Sequence, residues 1–265
     1  MLTENNDLIN LATKAAIDGG AIALKYFRNP DLIVKNKGLQ KFDPVTEADL
    51  ETEKVIRNII KRNRPLDMIF GEETGETDGN SEYFWLIDPI DGTRAFIAGI
   101  PVWTVLIAVM KNKVPILGVI HQPFTGEIFV GGFGSTELSS GGVTTITKTR
   151  KCSTLRKAVL ATTFPEIGTK FEMNRFNAVR DQVKLTRYGL DAYAYALLAL
   201  GQLDIVIEAG LKPHDVNAPI AVVEAAGGIV TDWSGKKAYY GGQILACGDI
   251  QIHEQAVKIL SLKGC

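Results

Sequence analysis

Trp85-Leu86-Ile87-Asp88-Pro89-Ile90-Asp91-Gly92-Thr93-Arg94 is the stretch where this chain passes from apolar to acidic. Its first residues are the large aromatic and branched types of a buried strand. The run then meets Asp88 and Pro89, which predicts a turn that enters a helix near Gly92. Asp88 and Asp91 fall close together at that turn. Two neighbouring carboxylates repel each other unless a cation neutralises them. Hard divalent cations take oxygen ligands, so Mg²⁺ suits the pair, with the Ile90 carbonyl as a further oxygen. The Gly92 and Thr93 N–H groups, at a helix start, offer donors and a positive dipole end to a phosphate. An isolated Asp-x-x-Asp is more often turn and cap chemistry, so the rest of the chain has to decide.

Just upstream, Met68-Ile69-Phe70 runs into Gly71-Glu72-Glu73, a second apolar segment with carboxylates at its tip. Downstream, residues 102–110 and 114–120 flank Lys111-Asn112-Lys113 and predict a hairpin. Residues 127–130 add a strand, and Gly131-Gly132 and Gly141-Gly142 read as turns. Residues 4–28 place Leu8, Leu11, Ala15 and Ile22 near helical spacing, and Pro30 ends that helix. Thr46-Glu47-Ala48-Asp49 reads as a capping box. It opens a helix that buries Val55, Ile56, Ile59 and Ile60 and closes at Arg64-Pro65.

Past residue 141, strands (160–163, 204–207, 229–231, 244–247) alternate with helices (170–183, 191–200, 215–226), and Asp249 caps a final helix. No long linker, internal repeat or low-complexity tract interrupts the pattern. It predicts layered sheets and helices, with an α+β portion over residues 1–140 and an α/β portion over residues 141–265.

The chain has 265 residues, 46% of them apolar and 22% charged, with a net charge of −1. That is enough chain to bury a large core. Lys and Arg are scattered among acids, which argues against a nucleic-acid surface. The start, Met1-Leu2-Thr3-Glu4, lacks the basic and apolar regions of a secretory signal. No apolar run is long enough to span a bilayer. The three cysteines, Cys152, Cys247 and Cys265, follow neither a disulfide framework nor a zinc spacing. The expectation is a reduced, cytoplasmic protein with no membrane or nucleic-acid partner.

Four blocks together resemble the inositol-monophosphatase-like phosphatases. They are Asp43-Pro-Val-Thr-Glu-Ala-Asp49, Gly71-Glu72-Glu73, Asp88-Pro-Ile-Asp-Gly-Thr93, and His214-Asp215 followed by Ala218 and Glu224-Ala-Ala-Gly-Gly228. They stand in the family's order and span most of the chain. The resemblance implies a layered α-β-α-β-α, sugar-phosphatase-like fold, a homodimer, and Mg²⁺-dependent hydrolysis of a small-molecule phosphate monoester.

By position, it implies that Glu72, Asp88, Asp91, Asp215 and the Ile90 carbonyl hold metal. Asp49 and Thr93 would orient or activate a metal-bound water, with Glu72 in the same catalytic set. Gly92 and Thr93 would hold phosphate, and Glu73 and an early lysine would support the site; Lys37 aligns best, with Lys35 and Lys41 as the other candidates. Water would attack phosphorus in line with no phosphoenzyme. In keeping with this, no P-loop, Cys-x₅-Arg signature or nucleophilic triad is present, and His121, His214 and His253 read as structural. Taken singly, Glu72 and Glu73 also read as loop charges, Asp215 as a helix cap, and Asp49 as the closing member of its capping box.

The continuation Gly92-Thr-Arg-Ala-Phe-Ile-Ala-Gly-Ile-Pro-Val-Trp103 is similar to the histidinol-phosphatase branch. So are Ala161-Thr-Thr-Phe-Pro165, Gly189-Leu-Asp-Ala-Tyr-Ala-Tyr195 and Glu208-Ala-Gly-Leu-Lys-Pro-His-Asp215. Leu190, Ala192, His214 and Val105 depart from that branch's pattern. The likeness implies histidinol phosphate as substrate, with Asp191 and Glu208 facing an ammonium or imidazolium group. Glu208 equally suits inositol hydroxyls and Asp191 equally suits a helix N-cap, so inositol-1-phosphate or a sugar phosphate stands as the alternative. A reading of another class is a regulatory protein that keeps the fold and binds RNA polymerase or ribosome components, as some superfamily members do. The complete acidic set weighs against it.

Overall fold

The computed structural model describes residues 2–36 and 44–262. The path opens with helix α1 (Leu2–Tyr26), the short antiparallel strands β1 (Val34–Asn36) and β2 (Pro44–Thr46), and helix α2 (Glu47–Asn63). There follow β3 (Met68–Gly71), β4 (Gly75–Thr77), β5 (Tyr83–Asp91) and the one-turn helix α3 (Thr93–Ile97). A meander comes next: β6 (Thr104–Lys111), β7 (Val114–Gln122), β8 (Glu127–Gly132), β9 (Ser135–Ser140) and β10 (Val143–Thr147). The remainder is β11 (Val159–Thr162), α4 (Lys170–Arg180), β12 (Leu185–Tyr188), α5 (Tyr193–Ala199), β13 (Ile205–Leu211), α6 (Pro213–Ala225), β14 (Ile229–Thr231), β15 (Gly242–Cys247) and α7 (Ile250–Leu260).

Two sheets organise these elements. The larger has eight strands in the order β10-β9-β8-β7-β6-β5-β3-β4, and the smaller has five in the order β12-β11-β13-β15-β14. All neighbours in the larger sheet run antiparallel except β3 and β5. In the smaller sheet β11 lies parallel to both β12 and β13, while β15 runs antiparallel to β13 and β14.

The central strands are apolar at almost every position because both faces of the large sheet are covered. Along β6, Val105, Ile107 and Val109 join the core under α1 and α2, whereas Leu106, Ala108 and Met110 join the core built with α5 and α6. The Val, Ile, Leu and Met side chains among these, fully buried, each contribute about 1.5–3 kcal/mol relative to exposure. On its other side the small sheet packs Leu160, Ile205, Ile207 and Leu245 against Phe176 and Val179 of α4 and Ile252 and Ala256 of α7. The layers therefore run α-β-α-β-α, as the resemblance implied.

Local rules account for the joints. The β6–β7 hairpin closes on Asn112 and Lys113, at φ 50° and 65°, with Lys111 opposite Val114. Two left-handed residues match the twist of the strands they join. Thr46 and Asp49 form the expected reciprocal cap on α2, and Asp249 caps α7 through the Gln251 N–H at 2.9 Å.

Two expectations are corrected, and an edge strand is new. Gly131 and Gly132 end β8 instead of forming a turn, and β9 and β10 extend the sheet beyond them. β12, a half-exposed edge strand, was not foreseen. The chain does not turn away at Pro89, since β5 continues to Asp91. No described helix is long and apolar enough to cross a membrane.

Candidate active site

Side chains alternate along a strand, so residues three apart ordinarily point to opposite faces. On β5, Asp88 pairs with Leu106 and Asp91 pairs with Thr104, which sets three steps on one strand against two on the other. This bulge at Pro89-Ile90 returns Asp91 to the face that Asp88 uses. Proline fits there because it has no N–H to withdraw from the ladder. The Ile90 N–H donates to Asp88 Oδ1 at 3.1 Å, and the Thr93 hydroxyl donates to the Ile90 carbonyl at 3.2 Å. The Ile90 side chain packs with Ala23, Ala48, Phe96 and Trp103, which anchors the corner from behind. Gly92 follows at φ 86°, a left-handed conformation that suits glycine.

Three other elements bring carboxylates to this corner. Glu72 follows β3, and its N–H donates to the Ile87 carbonyl at 3.1 Å. Asp215 lies in the first turn of α6, where its Oδ2 accepts the Lys212 N–H at 2.7 Å and its Oδ1 stands 3.2 Å from His214 Nε2. Asp191 precedes α5 with a left-handed φ of 47°, an allowed but uncommon conformation for Asp. The next N–H, of Ala192, donates to Asp91 Oδ2 at 2.6 Å. Asp191 is not a side-chain cap, since α5 is capped at Ala192 with no side-chain bond.

Glu72, Asp88, Asp91, Asp191 and Asp215, with Ile90, Gly92 and Thr93, line one cleft of about 260 Å³. Arg94, Lys212 and Phe164 complete its wall. An adjoining chamber of about 240 Å³ shares Asp91, Asp191, Asp215 and Phe164 and adds Glu208, Thr163 and Tyr195. Asp49 lies outside the cleft lining, fully buried, with Oδ2 accepting the Thr46 N–H at 2.7 Å and the Thr46 hydroxyl at 2.6 Å. Its charge still bears on Asp88. Glu73 is not on the cleft wall either. Lys37 lies outside the described residues.

The electrostatics are those of crowded acids. Burial pushes the Asp88 carboxyl well above the usual range, and the charges of Glu72, Asp91, Asp215 and Asp49 push the same way. Burial likewise raises Asp91, with Asp191 and Asp215 adding to it and the Ala192 N–H opposing it. Burial raises Asp215 against the pull of His214 and the Lys212 N–H. Asp191 is raised to about 6 by burial, with Arg94 drawing it back. Glu208 is raised to about 7 by burial, although it accepts the Thr163 N–H at 2.6 Å and the Thr163 hydroxyl at 3.0 Å.

Glu53 was not anticipated. It is a fully buried acid on α2. It accepts the Glu73 N–H at 2.8 Å, the Thr74 N–H at 3.1 Å, the Thr74 hydroxyl, and Arg57 Nε at 2.8 Å. It thereby fastens the loop that carries Glu72. Its signal was present in the spacing: Asp49, Glu53, Ile56 and Ile60 form one buried stripe at helical period.

The donor set is all oxygen, from carboxylates and one carbonyl, and contains no thiolate. That suits Mg²⁺ or Mn²⁺ and not zinc. A divalent cation offsets the repulsion that now favours protonated acids here. Among the described residues, no three acidic, His or Cys side chains close around a single point as a finished metal-ligand group; the carboxylates stand as separate walls of the cleft.

Five alternating layers, with a carboxylate-walled cleft where a bulged strand meets a helix, define the sugar-phosphatase-like class. Within that class, the chain belongs to the inositol monophosphatase family, whose sequence profile matches residues 4–262. It is 39% identical to a chloroplastic bifunctional phosphatase of Arabidopsis thaliana, over 97% of this chain and 76% of that one. It is 32% identical to a histidinol-phosphatase of Chlorobaculum parvum, over 89% of each. The Nus factor SuhB of Haemophilus influenzae is also 32% identical, over 98% of each. A solved inositol monophosphatase from Zymomonas mobilis superposes with a TM-score of 0.85 at 37% identity, covering 97% of this chain and 98% of that one.

Proposed function

We propose that this phosphatase is an Mg²⁺-dependent phosphomonoesterase whose substrate is histidinol phosphate. The observation that carries the reaction is the convergence of Glu72, Asp88, Asp91 and Asp215 on one cleft beside the Gly92-Thr93 turn. These four side chains and the Ile90 carbonyl would hold Mg²⁺. Bound there, Mg²⁺ supplies neutralisation of the ester's charge and a lower pKa for the attacking water.

The chain's own groups do the rest. The Gly92 and Thr93 N–H groups hold the phosphate oxygens. The Thr93 hydroxyl donates its hydrogen bond to the Ile90 carbonyl, so its lone pairs remain to accept from and orient a water. Asp49, held rigid by the Thr46 cap, supports that orientation. Arg94 and Lys212, on the cleft wall, add positive charge toward an anionic ester.

The substrate reading rests on the adjoining chamber. Asp191 and Glu208 are acceptors that suit a nitrogen-bearing substrate, with Asp191 shared between the cleft and the chamber and Glu208 in the chamber wall alone. The relatives named histidinol-phosphatase support the same choice. Comparing kcat/KM for histidinol phosphate and inositol-1-phosphate on one Mg²⁺-loaded preparation tests it. A preference for the histidinol ester is expected, and a preference for the inositol ester defeats the substrate assignment while leaving the metal chemistry standing.

A further inference from the structure

Tyr195, on α5, is 2% exposed. It lines the chamber beside the cleft, and its hydroxyl is buried with no hydrogen-bond partner. Such hydroxyls are rare, because each costs about 1–3 kcal/mol relative to a satisfied one. Phenylalanine would fill the same space without that cost. The groups whose charges bear on this hydroxyl are Glu208, Asp91 and Asp215. All three line the chamber together with Tyr195. The chamber wall therefore holds an acceptor, Glu208, and a phenol whose proton lacks an acceptor. A ligand group that satisfies both must donate from one atom and accept at another.

We propose that Tyr195 is a specificity-determining residue whose hydroxyl donates to the bare ring nitrogen of an imidazole on the substrate, while Glu208 accepts the ring N–H. This rests on the histidinol-phosphate reading and extends it to a residue with no other assigned part. A neutral imidazole offers one donor and one acceptor on a flat five-membered ring. Glu208 alone does not tell such a ring from a polyol, since either can donate to it. The fixed phenol adds a second point that a ring nitrogen meets in the plane of the ring.

The test is Tyr195→Phe in the Mg²⁺-loaded enzyme, assayed on histidinol phosphate, inositol-1-phosphate and propyl phosphate, with calorimetry of histidinol binding alongside. The expected result is a KM for histidinol phosphate raised about tenfold, the loss of one hydrogen bond. The turnover number should hold within about twofold, the loss should be confined to that ester, and histidinol binding should weaken by the same factor. Unchanged histidinol binding in the variant, with the parent enzyme still preferring histidinol phosphate, overturns the assignment to Tyr195 alone. An equal loss on propyl phosphate also overturns it, because that ester carries nothing for the chamber to read. A parent enzyme that prefers inositol-1-phosphate sinks the substrate reading itself, and the imidazole with it.

Discussion

Gly118 on β7 lies so close to Ala218 on α6 that a Cβ at Gly118 would overlap the Ala218 carbonyl oxygen. Its cross-strand partner Gly131 does the same beneath Val222. Two glycines side by side make a bare patch of sheet on which α6 rests. Asp215 is one helical turn from Ala218, so this contact sets the height of its carboxylate above the sheet. Gly118→Ala is expected to cost about 2–3 kcal/mol, since neither backbone can yield, and to weaken Mg²⁺-dependent turnover. Denaturant unfolding and the Mg²⁺ dependence of phosphate release check this. Wild-type values for both would mean that α6 is seated by something else.

The crowded acids predict a trade between stability and activity. Asp91→Asn removes a charge that repels Asp88, Asp191 and Asp215, and the amide oxygen can still accept the Ala192 N–H. In EDTA the variant is expected to be about 1–3 kcal/mol more stable than the parent, or about 2–4 °C in Tm per kcal/mol. Turnover is expected to fall at least about 100-fold. Added Mg²⁺ should raise the Tm of the parent and not of the variant. A variant that keeps its turnover removes Asp91 from the reaction.

Glu53 predicts that a residue outside the cleft controls it. Glu53→Gln leaves one acceptor oxygen for donors that now use both carboxylate oxygens, and strips Arg57 of its charged partner. Loss of a buried partner of this kind costs about 3 kcal/mol. The Glu72 loop is also released, so half-saturation should need more Mg²⁺. Thermal melts and an Mg²⁺ titration of activity measure the two effects. A stable variant with unchanged Mg²⁺ dependence would show that the loop holds itself.

Much of this was legible in the sequence because the strongest signals are periodic or covalently local. The continuous apolar runs of β5 to β7, the caps on α2 and α7, and the Asn112-Lys113 hairpin were all visible. β9 and β10 were not, because Ser135–Ser140 and Val143–Thr147 are rich in Ser and Thr and lie half exposed, without alternation. Gly131 read as a turn because its reason, the approach of Val222, lies 91 residues (222 − 131) away in the chain. The carboxylates were legible as types, but the bulge that turns Asp88 and Asp91 to one face was not. Glu53 shares the period of the buried stripe of α2, but an acid on an amphipathic helix usually faces water, so the period alone does not mark it.

Glu208 predicts a pH signature. Folding buries it and raises its pKa to about 7, so the folded protein holds this proton more tightly than the unfolded chain. The stability that this group contributes is therefore full below the ordinary glutamate range and is lost as pH rises through about 7. Glu208→Gln removes this dependence. In metal-free protein it is expected to be more stable than the parent at pH 8, by at most about 3 kcal/mol, with the advantage gone below about pH 5. A stability difference that does not change with pH would mean that Glu208 is not the group that titrates.

Crystals grown with Mn²⁺ in place of Mg²⁺ can show where cations bind, through anomalous scattering. An anomalous peak is expected in the cleft, within ligand distance of Asp88 and Asp91 and bordered by Glu72 and Asp215, and Asp91→Asn crystals should lack it. Manganese bound elsewhere with this cleft empty, or a peak that persists in the Asn variant, would contradict a cation site built from these carboxylates.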